Sequence, residues 1–424
     1  MDDLFPLLDC QIRGLDYVTN NPYSILGLDP GLGKSRIPIE LREATGKKCL
    51  IVCPAYSVLG WKAEIERWRR TESISTIIKK GSELYTIIDS DYVVVSYGLV
   101  VKWTDIFEWP GIVVLDEGHD LKSMDAKRTQ FIHKNVFENS IDRLIIPTGT
   151  PIKNRVAEFY SLLALCHYDP RIKNPEFLER FPDAITFADH FSHRHEYTLE
   201  INRRFIPIVK WEGLKNVKEL RQYLEGHYIR IKSDETDLPP MTEIDVLVSE
   251  VQDKKLQEAW DKYYSQEGTG NTSPQAKVDA AVRTAPVTIK YVENLLEQVS
   301  PVLIYSDHRE PAAIIAKHFG TVALDGQMDA YKRMATAQAW QAGTDKVLVA
   351  TIKALSQTVT LTRASNLVMN DPPWVPGDYD QVIKRILRTG QTKPCFIHRV
   401  YGSPQSQKIA SIVLGKRKVI EKVT

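Results

Sequence analysis

Cysteine is scarce in this chain: five among 424 residues, Cys10, Cys49, Cys53, Cys166 and Cys395. No two stand at the C-x-x-C spacing of a zinc or redox pair. Cys49 and Cys53 lie four apart in an apolar run, where strand alternation makes both small core residues. This excludes a disulfide scaffold and gives a reducing, intracellular setting as the expectation. Long apolar runs are missing too; none approaches the roughly 18 residues of a membrane span. Neither sign of charge dominates, with 55 Lys plus Arg against 54 Asp plus Glu. A polyanion partner would therefore need a local basic groove. Internal repeats and low-complexity tracts are absent, and the acidic opening "MDDLFPLLDC" suits neither a secretory nor a mitochondrial signal.

What is present is alternation. The length allows two to four domains. One block carries the β-branched runs "CLIVCP" (49–54), "DYVVVSY" (91–97), "GIVVLDE" (111–117) and "RLIIPTG" (143–149), with the amphipathic "SVLGWKAEIERWRR" between the first two. A second block carries "VLIYSD" (302–307), "TVALDG" (321–326), "KVLVATI" (346–352), "SNLVMND" (365–371) and "CFIHRVY" (395–401). Continuous apolar strands interleaved with helices indicate parallel sheets covered on both faces. The middle, roughly 166–285, is charged and aromatic and reads as mostly helical, broken by "DLPPM" (237–241) and "EGTGNTSPQ" (267–275). The expected fold class is α/β: a first lobe over 1–165, a helical insertion and linker over 166–240, and a second lobe over 241–424.

The stretch "LGLDPGLGKS" (26–35) bears the chemistry. It lacks the first glycine of a plain Walker A loop. Gly31 and Gly33 still let backbone N–H groups approach phosphate oxygens, and a helix starting near Lys34 adds its positive end. Lys34 would reach the β- and γ-phosphates, and the Ser35 hydroxyl would ligate Mg²⁺. A glycine turn ahead of a helix is the plainer alternative. "VVLDEGHD" places Asp116 and Glu117 at a strand's carboxyl end, where open α/β sheets bind ligands. Asp116 suits a metal, and Glu117 suits the base that orients an attacking water. Together the two stretches point to an ATPase.

Further motifs carry a family resemblance. "GLDPGLGKS" resembles the A-x-x-x-G-x-G-K-[ST] loop of superfamily 2 helicases, which accounts for the unusual spacing. "DEGH" resembles the DEAH box and "PTGTPIKN" (147–154) the T-G-T-P-I-x-N motif of Swi/Snf-type ATPases. "VCPAYSVLGWKAEIERW", "VVVSYGLV", "HYIRIKSDETDLPP" and "DPPWVPGDYDQVIKRILRTGQ" (371–391) follow in that family's order. "APVTIKYVENLLEQ…VLIYSDHREPAAIIA" looks most like the annealing-helicase branch.

The resemblance implies two RecA-like lobes that use ATP and Mg²⁺ and partner DNA, double-stranded or branched, as a monomeric motor. It places Gln11 as the adenine reader and Gly31, Leu32, Gly33, Lys34 and Ser35 as the phosphate loop. His119 would link the metal site to Thr148–Pro151. Arg385 and Arg388 would act as arginine fingers on a helix shared with Gln381. DNA phosphates would be met at Pro54, Ala55, Ser96, Tyr97, Ser306, Lys353 and Thr360, with Trp374 at the domain interface or on DNA. The implied activity is ATP-driven translocation on double-stranded DNA that remodels or anneals it. A helicase on forked DNA or RNA, and a nucleotide-gated DNA clamp with little hydrolysis, are the alternatives. One departure stands out: "KALSQTVTLT" puts Leu355, Ser356, Gln357 and Thr358 where the family has a glycine-rich loop, which implies altered coupling between DNA and hydrolysis. No chromatin-reading, nuclease or zinc module is visible, so a bare motor core in a bacterial or phage-type cytoplasm is expected. "GKRK" (415–418) leaves a nuclear setting open.

Overall fold

The computed structural model describes residues 6–29, 31–70, 75–77, 87, 89–103, 105–139, 141–149, 152, 155–171, 176–201, 204–232, 238–247, 274–351, 354, 360–371, 373, 375–388, 390–402 and 404–421. Lys353, the loop 355–358, Trp374 and most of the breaker 267–275 lie outside these residues. By contact the chain divides into two units, Met1–Thr236 with Lys416–Thr424, and Asp237–Gly415.

The first unit is built on strands β1 (Tyr23–Leu28), β2 (Cys49–Cys53), β3 (Ser75–Ile77), β4 (Tyr92–Ser96), β5 (Ile112–Leu115), β6 (Arg143–Pro147), β7 (His193–Ile201), β8 (Arg204–Glu212) and β9 (Tyr228–Ile231). Seven of them form one sheet in the order β3-β4-β2-β5-β6-β1-β9, and every pairing within it is parallel. The β-branched runs explain this directly. β1, β2, β4 and β5 are buried at every position, so mostly apolar side chains fill them. Parallel neighbours need crossovers, and the helices Arg36–Thr45 and Val58–Trp68 are two of these. The first of them ends at Gly46, whose φ of +66° favours glycine and whose N–H donates to Arg42 O at 2.8 Å.

The helical reading of 166–240 needs correction. Helices Glu176–Arg180, Ala184–Phe191 and Val217–Leu224 are present. Between the second and third, however, β7 and β8 make an antiparallel hairpin, and β9 joins the first sheet beside β1. The helices seat Phe177, Phe181, Phe187 and Phe191 in one cluster, with the ring centroids of Phe187 and Phe191 4.7 Å apart. That cluster is why the segment is aromatic: it extends the core of the first unit.

The second unit has β10 (Met241–Leu247), β11 (Val302–Tyr305), β12 (Val347–Ala350), β13 (Asn366–Met369) and β14 (Cys395–Tyr401), ordered β10-β14-β13-β11-β12 and again wholly parallel. Two RecA-like parallel-sheet lobes are thus the architecture. All five cysteines are buried and unbridged, and Cys49 and Cys53 face the interior at the two ends of β2. Among the described residues no helix is long and apolar enough to cross a membrane.

The first unit also buries imidazoles. His133 lies with its Nε2 2.9 Å from Ser161 Oγ and its Nδ1 3.1 Å from the Tyr168 hydroxyl. Burial lowers its pKa to about 4, and burial likewise lowers His167 to about 4. An unfolded chain takes up these protons from about pH 6.5 downward while the fold refuses them until near 4, so stability is whole above about 6.5 and is lost as the pH falls. At pH 5, His133 alone should cost about 2 kcal/mol. Urea midpoints measured from pH 7.5 to 5 should fall steadily, and His133→Gln should flatten part of that slope. A pH-independent midpoint would contradict the assignment.

Candidate nucleotide and nucleic-acid site

The ends of β1, β6 and β5 are neighbours on the carboxyl edge of the first sheet. β1 delivers the glycine loop. Gly31 has φ +95° and Gly33 φ +71°, both in the region where a side chain is strained. A Cβ on Gly33 would stand 2.2 Å from Gln11 Nε2 and would displace that side chain from the loop. Between them Leu32 is wholly buried and pins the loop to the core. Ser35 stands just before the helix Arg36–Thr45, which buried Ile37, Ile39 and Leu41 anchor. Loop N–H groups and the helix's positive end therefore face the same place.

Gln11 is buried and braces this loop. Its Nε2 donates to Leu32 O at 3.2 Å and Gly33 O at 3.5 Å, while its Oε1 accepts from Leu8 N–H at 3.1 Å.

β5 delivers the acids. Asp116 N–H donates to Val52 O at 2.9 Å, extending the ladder with β2 by one bond. Its carboxylate accepts from Trp61 Nε1 at 2.8 Å, and its backbone carbonyl accepts from the Tyr97 hydroxyl at 2.8 Å. Burial, and then the Glu117 carboxylate beside it, push the Asp116 pKa up to about 7 against the Trp61 bond and the Lys34 charge. Glu117 adopts φ +50°, a left-handed conformation that costs a non-glycine residue about 1 kcal/mol or more. Its Oε2 lies 3.2 Å from His119 Nδ1, which is also 3.4 Å from Thr148 Oγ1 after β6. The structure thus brings His119, Glu117 and Thr148 together. Gly118 fits because any Cβ would stand 2.3 Å from Ile146 Cγ2.

The donor set fits ATP with a divalent cation. The glycine loop is a cradle that a side chain at position 33 would fill, and Ser35 and Asp116 offer the hydroxyl and carboxylate oxygens that Mg²⁺ prefers.

In the second unit, the helix expected to carry both arginines stops short. Pro376–Ile383 includes Gln381, but Arg385 and Arg388 lie in the irregular turns beyond its end, so helical spacing does not set their relation. Gln391 organises these turns. Its Nε2 is within hydrogen-bond reach of Thr362 O, Ala364 O and Ile386 O, at 3.1, 2.8 and 3.2 Å, and its Oε1 accepts from Thr392 and Lys393 N–H.

The expected nucleic-acid contacts separate by exposure. Ala55 is exposed and Thr360 half-buried. Pro54 and Ser96 are buried at the ends of β2 and β4. Tyr97 is buried with its hydroxyl on Asp116, and Ser306 is buried with its hydroxyl on Asp371, so neither side chain is presented to a ligand.

Sequence reasoning missed Trp61, Asp29 and Arg230. Arg230, on β9, meets Asp29 Oδ1 at 2.6 Å and reaches Gly27 O at 3.3 Å and Gly149 O at 3.4 Å. One guanidinium therefore spans both sides of the phosphate loop's entry and the loop after β6. Partners 201 residues apart leave no local signal.

Comparison with known proteins agrees with this geometry. The SNF2-related domain pattern matches residues 11–293, and the helicase conserved C-terminal domain matches residues 287–390. The chain belongs to the SNF2-related family. It is 25% identical over 381 residues to the mouse (Mus musculus) "DNA annealing helicase and endonuclease ZRANB3", covering 82% of this chain and 34% of that protein. It is 22% identical over 424 residues to the "DNA repair and recombination protein RAD54" of Saccharomyces cerevisiae, covering 83% of this chain and 46% of the relative. The chain therefore spans between a third and a half of these relatives' lengths. A solved "Sulfolobus solfataricus SWI2/SNF2 ATPase core in complex with dsDNA" aligns over 99% of this chain and 97% of its own, with TM-score 0.45 and 17% identity.

For this SNF2-related chain, Arg230→Ala removes a guanidinium from buried Asp29 and should destabilise the first unit by about 2–3 kcal/mol in urea unfolding. The double variant Arg230→Met with Asp29→Leu should recover part of that loss, and additive losses would show that the pair is not coupled.

Proposed function

We propose that this chain hydrolyses ATP with Mg²⁺ and uses the cycle to move along double-stranded or branched DNA, remodelling or annealing it as a monomeric motor. The observation that supports this best is the convergence, on one sheet edge, of two positive-φ glycines ahead of a helix with Asp116 and Glu117 at the end of β5. Membership of the SNF2-related family gives the same direction.

The residue roles follow from chemistry. N–H groups of Gly31, Leu32 and Gly33 cradle phosphate oxygens, and Lys34 neutralises the β/γ bridge. Ser35 and Asp116 hold the cation, which when bound spreads the charge of the phosphates. Glu117 orients a water and takes its proton as oxygen attacks the γ-phosphorus. The bond to the β-phosphate oxygen breaks, and ADP and phosphate leave. His119, between Glu117 and Thr148, holds the base in place and links it to the loop after β6. Gln11 serves adenine recognition in this reading. Its Nε2 has two N–H groups, so a base competes for one of them with Gly33 O, and nucleotide arrival loosens the brace on the loop. Arg385 and Arg388 supply cationic groups to the transferred phosphoryl, with Gln381 beside the nucleotide. DNA phosphates are met by backbone N–H groups and polar side chains at Ala55, Ser96, Lys353 and Thr360, with Pro54 shaping the turn, so binding is insensitive to sequence and steeply salt-dependent.

Steady-state ATPase assays with duplex, single-stranded and forked DNA, and with RNA, test this reading and its helicase and clamp alternatives together. Lys34→Ala should abolish turnover with duplex affinity unchanged and native circular dichroism. Arg388→Ala should keep nucleotide binding yet lose about 10³-fold in kcat, as for other arginines supplied to phosphoryl transfer. Near-normal turnover in Arg388→Ala would remove it from the catalytic set.

A further inference from the structure

Asp116 is gripped by two aromatic donors, each belonging to a different turn. β2 ends at Cys53, and the chain makes a tight turn at Ala55–Ser57, closed by Ser57 N–H on Pro54 O at 2.9 Å. The helix Val58–Trp68 follows at once and carries Trp61. An indole N–H can only donate, and Trp61 is 3% exposed, so its donor must find a protein acceptor; that acceptor is Asp116 Oδ2, at 2.8 Å. β4 ends at Ser96, and the next residue is Tyr97, also 3% exposed, whose hydroxyl donates to Asp116 O at 2.8 Å. β4, β2 and β5 are consecutive in the sheet, so the two turns and the carboxylate share one stretch of the carboxyl edge.

We propose that Trp61 and Tyr97 are positioning residues that transmit nucleic-acid contact at the turns after β2 and β4 to the cation-holding carboxylate of Asp116. This rests on the motor reading given above. The geometry is specific to such a role. The Trp61 bond occupies Oδ2 and fixes the plane of the carboxylate that would hold the cation. The Tyr97 bond fixes the backbone from which that carboxylate projects. Neither aromatic can move without moving Asp116, and each is joined through a few residues of regular backbone to a turn at the surface. A ligand pressing on exposed Ala55 or Gly98 thereby shifts the carboxylate without touching it, and hydrolysis becomes dependent on DNA.

The test uses the full chain as wild type, Trp61→Phe and Tyr97→Phe. Three quantities are measured: Mg²⁺-dependent binding of a fluorescent ATP analogue, anisotropy of a labelled duplex, and turnover with and without that duplex. Trp61→Phe should raise the Mg²⁺ half-saturation about tenfold, the scale of a lost hydrogen bond to a charged group, and Tyr97→Phe, which loses a bond to a neutral carbonyl, about threefold or more. The duplex-stimulation ratio should fall by about fivefold or more while duplex affinity stays within about twofold. Wild-type half-saturation and stimulation in both variants would overturn the proposal. So would a loss of duplex affinity equal to the loss of stimulation, because that would make the residues DNA contacts. Should the wild type itself bind no duplex and show no stimulation, the motor reading fails, and wild type alone reports it. Tyr97→Phe removes one oxygen and keeps the ring, so it tests the proposal even if Trp61→Phe melts early.

Discussion

The parallel register of the first sheet is the constraint from which the site follows. Strands that all run one way must all turn at the same edge, so the loops after β1, β2, β4, β5 and β6 emerge side by side. Because the strands are buried on both faces, polar chemistry can appear only where they stop. Asp116 is one residue past the end of β5, still held to the ladder through its N–H on Val52 O. A carboxylate so placed inherits the rigidity of the sheet.

That rigidity concentrates charge that an ordinary surface would disperse. Asp116 and Glu117 are adjacent carboxylates, one partly withdrawn from water and the other in a left-handed conformation. Burial and mutual repulsion both disfavour two negative charges there, which is why the Asp116 pKa moves up toward neutrality. Lys34 and a divalent cation act in the opposite sense. Such an edge is least stable empty and gains most from a cation with its phosphates, so the same electrostatics that weaken the fold locally favour the ligand.

The sheets were legible because β-branched and apolar residues dominate buried strands such as "YVVVS" and "IVVL". The glycine loop and the paired acids were legible because their chemistry is local in sequence. The hairpin β7–β8 was not: its strands are rich in charge, and the alternation in "YTLEI" spans only five residues. The end of the helix at Ile383 was hidden as well. The sequence beyond it, "KRILRTGQ", keeps helical composition, and it is Gln391, turned back onto three carbonyls, that organises the turns. Trp61 and Arg230 carried no signal at all, since their partners lie 55 and 201 residues away. Long-range hydrogen bonds of this kind exist only once the fold does.

The two units share a sheet type but not an edge chemistry. At the ends of β11 and β13, Asp371 accepts from Ser306 Oγ, Asp307 N–H and Asn370 Nδ2, the last two at 3.0 and 2.9 Å, with His308 Nε2 4.0 Å away. Asn370 is itself held by the Thr288 hydroxyl at 2.8 Å. Burial raises Asp371 to about 6 even so, but both of its oxygens already have protein donors. Among the described residues Asp116 has one side-chain donor, Trp61. A saturated carboxylate stabilises the turn that contains it, whereas one with an oxygen to spare can take a metal ion. Asp371, so held, serves to lock the loop after β11.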